Sequence, residues 1–204
     1  MELTLVDVYA DVVCPFAYVG LSRFIAERAS RGRDDVVLSV KAWPLEWVNN
    51  GPMDGHAVAE KGALLRSSVA PDLFAHVDAE RYPTTSLAAL ELTAFAYEHD
   101  PRVGERVAME LRRRLFDDGA DIGDPAVVAA VAASFGLSVP DGDARVRAQY
   151  DEGQARGVKG SPHFFPPRAS DQFCPSLVIT RPDGTLHVDF DDERFATLLR
   201  TTFG

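Results

Sequence analysis

The chain has 204 residues, 46% of them hydrophobic and 25% charged. That balance is ordinary for a globular protein and excludes a disordered, collagen-like or disulfide-scaffold class. Thirty-one acidic against 21 basic residues leave a net charge of −10, which disfavours phosphate backbones and anionic lipid surfaces, so neither nucleic acid nor membrane is expected as a partner.

At this length one domain, with room for an insertion, is expected. A chain of this size buries about 70% of its unfolded surface and needs no disulfide staples. No stretch approaches the ~20 apolar residues of a membrane span. Residues 1–10 carry acids rather than a basic leader, so they read as a strand and not a secretion signal. A cytoplasmic location is therefore expected, where the two cysteines, Cys14 and Cys174, stay reduced.

In chain order, residues 3–9 form an apolar run that predicts a buried strand. Pro15 suits the first position of a helix, where its missing N–H costs nothing. That helix is expected to run to about Ser30, with Tyr18, Leu21 and Ile25 on one face and Gly32 as its stop. Residues 36–43 read as a second strand with Val36, Leu38, Val40 and Ala42 inward, giving a βαβ unit with parallel strands. Residues 52–156 read almost wholly as helix. Starts are expected after Pro83-Thr84-Thr85-Ser86 and at Asp124-Pro125, and stops at Asp100-Pro101 and Gly136. After Gly157, residues 161–165 and 176–180 read as strands. Arg181-Pro182-Asp183-Gly184 is a turn, residues 186–190 pair back across it, and residues 193–203 close the chain as a helix.

Cys14 stands where a strand hands over to a helix. The N–H groups near Phe16 and Ala17 and the helix dipole favour an anion there, which predicts a thiol of lowered pKa and a nucleophile at neutral pH. The competing reading is a small buried hydrophobe. Further on, Gly157-Val158-Lys159-Gly160-Ser161-Pro162 places a proline ahead of a strand, where a cis bond is accessible. Such a bond would leave the Ser161 backbone free for a ligand. Cys174-Pro175 precedes another strand and competes for the same role.

Taken together, these segments resemble the DsbA-like branch of the thioredoxin superfamily over nearly the whole chain. Asp11-Val12-Val13-Cys14-Pro15-Phe16-Ala17-Tyr18-Val19-Gly20 is similar to the active-site segment of FrnE-type members. Trp43-Pro44-Leu45-Glu46, Asp121-Ile122-Gly123-Asp124 and residues 157–162 resemble three further family segments. The resemblance implies an α/β thioredoxin-like fold, residues 1–50 and 157–204, with a helical insertion at 51–156. It implies thiol–disulfide exchange with thiol or disulfide substrates. Cys14 would be the attacking thiol, and Pro15, Phe16, Ala17, Ser161 and Pro162 would shape the substrate site.

One departure matters. The family motif C-x-x-C reads here Cys14-Pro15-Phe16-Ala17, so the resolving thiol is missing. Cys174 or a small thiol such as glutathione would then complete a cycle, with no tightly bound cofactor. Kappa-class glutathione transferases and 2-hydroxychromene-2-carboxylate isomerases also resemble this arrangement and imply a glutathione-dependent isomerase or transferase as the alternative. A binding module with no catalysis is the third reading. The five histidines (56, 76, 99, 163 and 187) lack zinc-site spacing, so no metal is expected. Arg112-Arg113-Arg114 reads as a solvated helix face paired with Glu110. Asp11 either tunes Cys14 or ends the strand. Trp43 and Trp47 read as core or groove walls.

Overall fold

The computed structural model describes residues 3–204. Its first unit is β1 (Thr4–Ala10), α1 (Pro15–Ser30) and β2 (Val36–Ala42). β1 and β2 pair in parallel from Thr4 opposite Val36 to Ala10 opposite Ala42. Six helices follow: α2 (Leu45–Val48), α3 (Gly55–Ser68), α4 (Leu87–His99), α5 (Pro101–Phe116), α6 (Pro125–Ser134) and α7 (Ala144–Ala155). The chain then makes β3 (His163–Phe165), β4 (Gln172–Phe173), β5 (Leu177–Thr180), β6 (His187–Phe190) and α8 (Asp192–Phe203). The main sheet has the order β2-β1-β3-β4, and β5 and β6 form a separate antiparallel pair.

The helix limits follow from local chemistry. Pro15, Pro101 and Pro125 open α1, α5 and α6. Asp54, Asp100, Asp124 and Asp191 accept hydrogen bonds from the first free amides of α3, α5, α6 and α8, the usual device for satisfying orphan N–H groups. Gly32 and Gly136, both with positive φ, lie just past α1 and α6. Residues 69–86, read from the pattern as part of a helical block, instead form a loop between α3 and α4. The two-residue strand β4 carries no sequence signal, since two residues are too few for periodicity.

The alternation of β1 sorts its two faces. Val6, Val8 and Ala10 pack with Leu21, Phe24, Phe164, Phe195 and Leu198 of α1, β3 and α8. Tyr9 faces the other way, edge-on to Trp43 and Phe165. There α7 approaches so closely that a Cβ on Gly153 would lie 2.9 Å from both Tyr9 and Trp43. Trp43 also stacks at a tilt on Tyr150 of α7, so it is core; Trp47 touches the same Tyr150.

β2 is an edge strand of the sheet, and three inserted helices occupy its open edge. Glu105 of α5 accepts from the Leu38 amide at 2.8 Å. The Tyr97 hydroxyl of α4 accepts from the Val40 amide at 3.0 Å and donates to the Leu38 carbonyl at 2.7 Å. Gln149 of α7 accepts from the Ala42 amide at 2.8 Å. Alternate backbone groups of a strand edge point outward and would otherwise offer a template for another chain. Here side chains satisfy them and fix the helices to the sheet. Replacing Tyr97 by Phe should lower stability by about 1–3 kcal/mol, the cost of leaving a part-buried amide unpaired. Urea unfolding of the two proteins measures it, and an unchanged midpoint would mean the hydroxyl carries no such load.

Candidate active site

Cys14 is the residue before α1, in extended conformation (φ −86°, ψ 112°). The short turn Asp11–Cys14 delivers it there, closed by the Cys14 amide donating to the Asp11 carbonyl at 3.4 Å. The amides of Phe16 and Ala17 face the sulfur, as the helix start predicts. Pro15 and Ala17 are buried, and Phe16 is half-buried.

The loop ahead of β3 meets this turn from the other side. Ser161–Pro162 is the one cis peptide bond among the described residues, so of the two prolines weighed from the sequence it is Pro162 and not Pro175. A Cβ on Gly20 of α1 would stand 3.6 Å from the Pro162 ring and 3.5 Å from the Ser176 hydroxyl, which packs both segments against α1. The Cys14 thiol donates to the Ser161 carbonyl at 3.2 Å. The Ser161 hydroxyl accepts from the Asp11 amide at 3.0 Å. Cys174 belongs to the same cluster. Its amide donates to the Pro162 carbonyl at 2.9 Å, and it sits at φ +44°, a left-handed conformation uncommon for a non-glycine residue.

Three expectations require correction. Cys14 was expected to be an acidic thiol, but it is only 3% exposed. Burial pushes its pKa above the ordinary value near 9, and the nearby Asp11 charge pushes the same way, against the Ser161 hydroxyl and the Ala17 and Phe16 amides, which favour the anion. Helix N–H groups favour an anion, but removal of water from the sulfur outweighs them here. Second, the Ser161 carbonyl, expected to be free for a ligand, is occupied by Cys14 itself. Third, Arg112 is not on a solvated face. Arg113 and Arg114 do pair with Glu110, whereas Arg112 is fully buried.

Arg112 reaches from α5 to the site. One guanidinium nitrogen donates to the Ala108 carbonyl at 2.7 Å and another to the Asp11 carbonyl at 3.0 Å. Desolvation lowers its pKa to about 10, opposed by the charges of Asp11 and Cys14. Asp11 is fully buried as well. Its carboxylate accepts from the Val13 amide at 3.3 Å and the Leu45 amide at 2.6 Å. Burial raises its pKa above the ordinary carboxylate value. The Tyr82 hydroxyl donates to the Val13 carbonyl at 2.9 Å and completes the wall. Sequence reasoning missed Arg112 and Tyr82 as neighbours of Cys14, since nothing local links residues so far apart in the chain.

His163 of β3 is a packed residue. It is fully buried, with Nδ1 accepting from the Lys159 amide at 3.1 Å and Nε2 at 2.8 Å from Asp171. No cluster of three or more metal-binding side chains occurs among the described residues, and no helix there is long and apolar enough to cross a membrane. A cavity of about 790 Å³, lined in part by Arg28, Asp100, Arg102 and Glu105, does not include Cys14.

This geometry, a cysteine before the first helix of a βαβ unit facing a proline loop, matches a known family. The model of the DSBA-like thioredoxin domain matches residues 5–174. The chain belongs to that family. Among solved structures it is similar in fold to a probable DsbA oxidoreductase from Streptomyces coelicolor, at TM-score 0.67 and 17% identity, over 97% of this chain and 89% of that one. It is also similar to a putative protein disulfide isomerase from Nitrosomonas europaea, at TM-score 0.62 and 13% identity, over 98% and 97%. A 2-hydroxychromene-2-carboxylate isomerase shares the fold at TM-score 0.55 and 16% identity, over 79% and 84%. No curated protein matches the chain.

Two outcomes follow from the buried thiols. Alkylation of Cys14 by iodoacetamide, followed by mass spectrometry, should be slow at neutral pH. Its midpoint should lie above the ordinary thiol value near 9; a midpoint below ~8.5 would restore the activated-thiolate expectation. Burial also pushes Cys174 up to about 12. The unfolded chain then ionises first, so stability should fall as pH climbs from about 9 to about 12. Urea titrations across that window should show a shallower fall in Cys174→Ser.

Proposed function

We propose that this protein is a cytoplasmic thiol–disulfide oxidoreductase of the DsbA/FrnE type that works through one cysteine, Cys14. The observation that carries the reading is the Cys14 thiol at the start of α1, bonded at 3.2 Å to the Ser161 carbonyl beside Pro162, in a chain of the DSBA-like family. In the reaction, the Cys14 thiolate attacks one sulfur of a disulfide substrate. The substrate S–S bond breaks, a mixed disulfide forms at Cys14, and the second substrate sulfur leaves as a thiolate. Pro15, Phe16, Ala17, Ser161 and Pro162 form the surroundings of that intermediate.

Ala17 offers no thiol to release it. A second thiolate must attack the mixed disulfide, freeing Cys14 and taking the substrate sulfur. A low-molecular-weight thiol such as glutathione suits this step as co-substrate. Cys174 is the internal candidate, its amide bonded to the Pro162 carbonyl, but burial pushes its pKa up to about 12 and makes it a poor thiolate at neutral pH, which favours the external thiol. A cytosolic disulfide reductase from Pseudomonas aeruginosa, similar in fold at TM-score 0.56 and 15% identity over 96% of this chain and 97% of that one, accords with this reading.

The absence of a thiol at Ala17 also favours a second reading, a glutathione-dependent isomerase or transferase. Turnover separates the two. With glutathione and a glutathionylated peptide, the parent should release peptide thiol, Cys14→Ser should fall to background, and Cys174→Ser should keep most of the rate. Ala17→Cys should gain peptide-oxidising activity, since residue 17 lies one turn from Cys14. Parent activity that survives Cys14→Ser would reject the cysteine mechanism. No turnover in the parent, with Cys14 present and the fold intact, would reject the oxidoreductase reading and leave the glutathione-dependent isomerase or transferase and the binding module.

A further inference from the structure

We infer that Arg112, supplied by the inserted helix α5, is the positioning residue that stabilises the Cys14 thiolate when the thiol reacts. The inference rests on the proposed thiol chemistry of Cys14. It starts from an anomaly: Arg112 is a fully buried guanidinium with no carboxylate at salt-bridge distance among the described residues, the buried Asp11 being the nearest charge that offsets it. Its two recorded bonds go to the neutral carbonyls of Ala108 and Asp11, and its Nε has no hydrogen-bond partner. A buried charge is costly unless something offsets it, so a cation held this way marks a place where negative charge is present or develops.

The geometry says where. The Asp11 carbonyl accepts from Arg112 at 3.0 Å and from the Cys14 amide at 3.4 Å. Guanidinium and cysteine backbone therefore share one acceptor. The other ionisable groups around Cys14 are of the wrong kind. Asp11 on the β1–α1 turn is an acid, Tyr82 from the loop before α4 is neutral and held above its ordinary pKa, and so is Cys174 after β4. Tyr18 of α1 and Tyr97 of α4, which face Arg112, are likewise raised. Arg112 is the cation among them, its ionisation coupled first to Asp11 and next to Cys14. The resting thiol needs no counter-charge. The thiolate formed during exchange does, and in a dry site a fixed cation is effective because little solvent screens it.

The test reads ionisation rather than turnover. Alkylation rate at Cys14 is followed against pH in a Cys174→Ser background, for the parent and for Arg112→Met. Loss of the guanidinium should raise the Cys14 midpoint by about one unit or more, as expected for removing a nearby opposite charge, and so slow alkylation about tenfold below it. Arg112→Met also leaves the buried Asp11 without that counter-charge, which destabilises the fold in its own right. The same comparison is therefore also made between Asp11→Asn and Asp11→Asn/Arg112→Met, where the pair is removed together. An unchanged midpoint in the comparison whose members fold, judged by circular dichroism, overturns the inference. The proposed oxidoreductase reading fails separately, by absence of disulfide turnover in the parent.

Discussion

Asp11 holds the site together with every polar group it has. Its amide donates to the Ser161 hydroxyl, its carbonyl accepts from Cys14 and Arg112, and its carboxylate accepts from Val13 and Leu45. One residue thus ties the end of β1 to the start of α1, the start of α2, the middle of α5 and the proline loop. The position of Cys14 relative to Ser161 follows from those bonds. A buried carboxylate is tolerated only when its oxygens are satisfied, and here each oxygen has a backbone amide. Without them two amides would be stranded, at about 1–3 kcal/mol each, so the turn, the helix and the loop stand or fall together.

The same device recurs where the inserted helices meet one another and the sheet. Glu46 of α2 accepts from Thr85 and the Ser86 amide at the start of α4. Glu91 of α4, itself buried, accepts from the Arg145 and Val146 amides at the start of α7 and from the Arg145 guanidinium. Glu105 of α5 binds both the β2 edge and Arg28 of α1. Together with the aspartates that cap α3, α5, α6 and α8, these account structurally for part of the acidic excess. Helix N-termini carry partial positive charge and unmet donors, and carboxylates answer both. The −10 charge is in this respect a feature of assembly as well as of surface.

How much of this could be read from the sequence depends on range. Pro15, Gly32, Asp100-Pro101, Asp124-Pro125 and Gly136 act within a turn of the backbone, and each fell where its local chemistry placed it. The parallel β1–β2 pair and the β5–β6 hairpin followed from apolar runs and turn residues. Cys14 and Pro162 were legible as a pair because a family pattern joins segments that spacing alone cannot. What escaped were effects of distance. Arg112 sits in a run of three arginines whose two neighbours do pair with Glu110, and only the packing of α5 against the β1–α1 turn turns the first of them inward. The pKa of Cys14 escaped for the same reason. The helix start is local and pushes it down, whereas burial is a property of the whole fold and pushes it up.

The contact between Cys14 and Ser161 gives that burial a chemical consequence. A thiol donates to a carbonyl; a thiolate has no proton to donate, and its charge faces the negative end of the carbonyl dipole. The bond at 3.2 Å and the ionised form of Cys14 therefore exclude one another. Loss of the proton replaces an attraction with a repulsion, so the sulfur must turn from the carbonyl as it becomes nucleophilic. The Ser161 carbonyl loses its partner in the same event. The Phe16 and Ala17 amides favour the ionised sulfur. A site that is closed to solvent at rest thus keeps its thiol neutral until something displaces the proton.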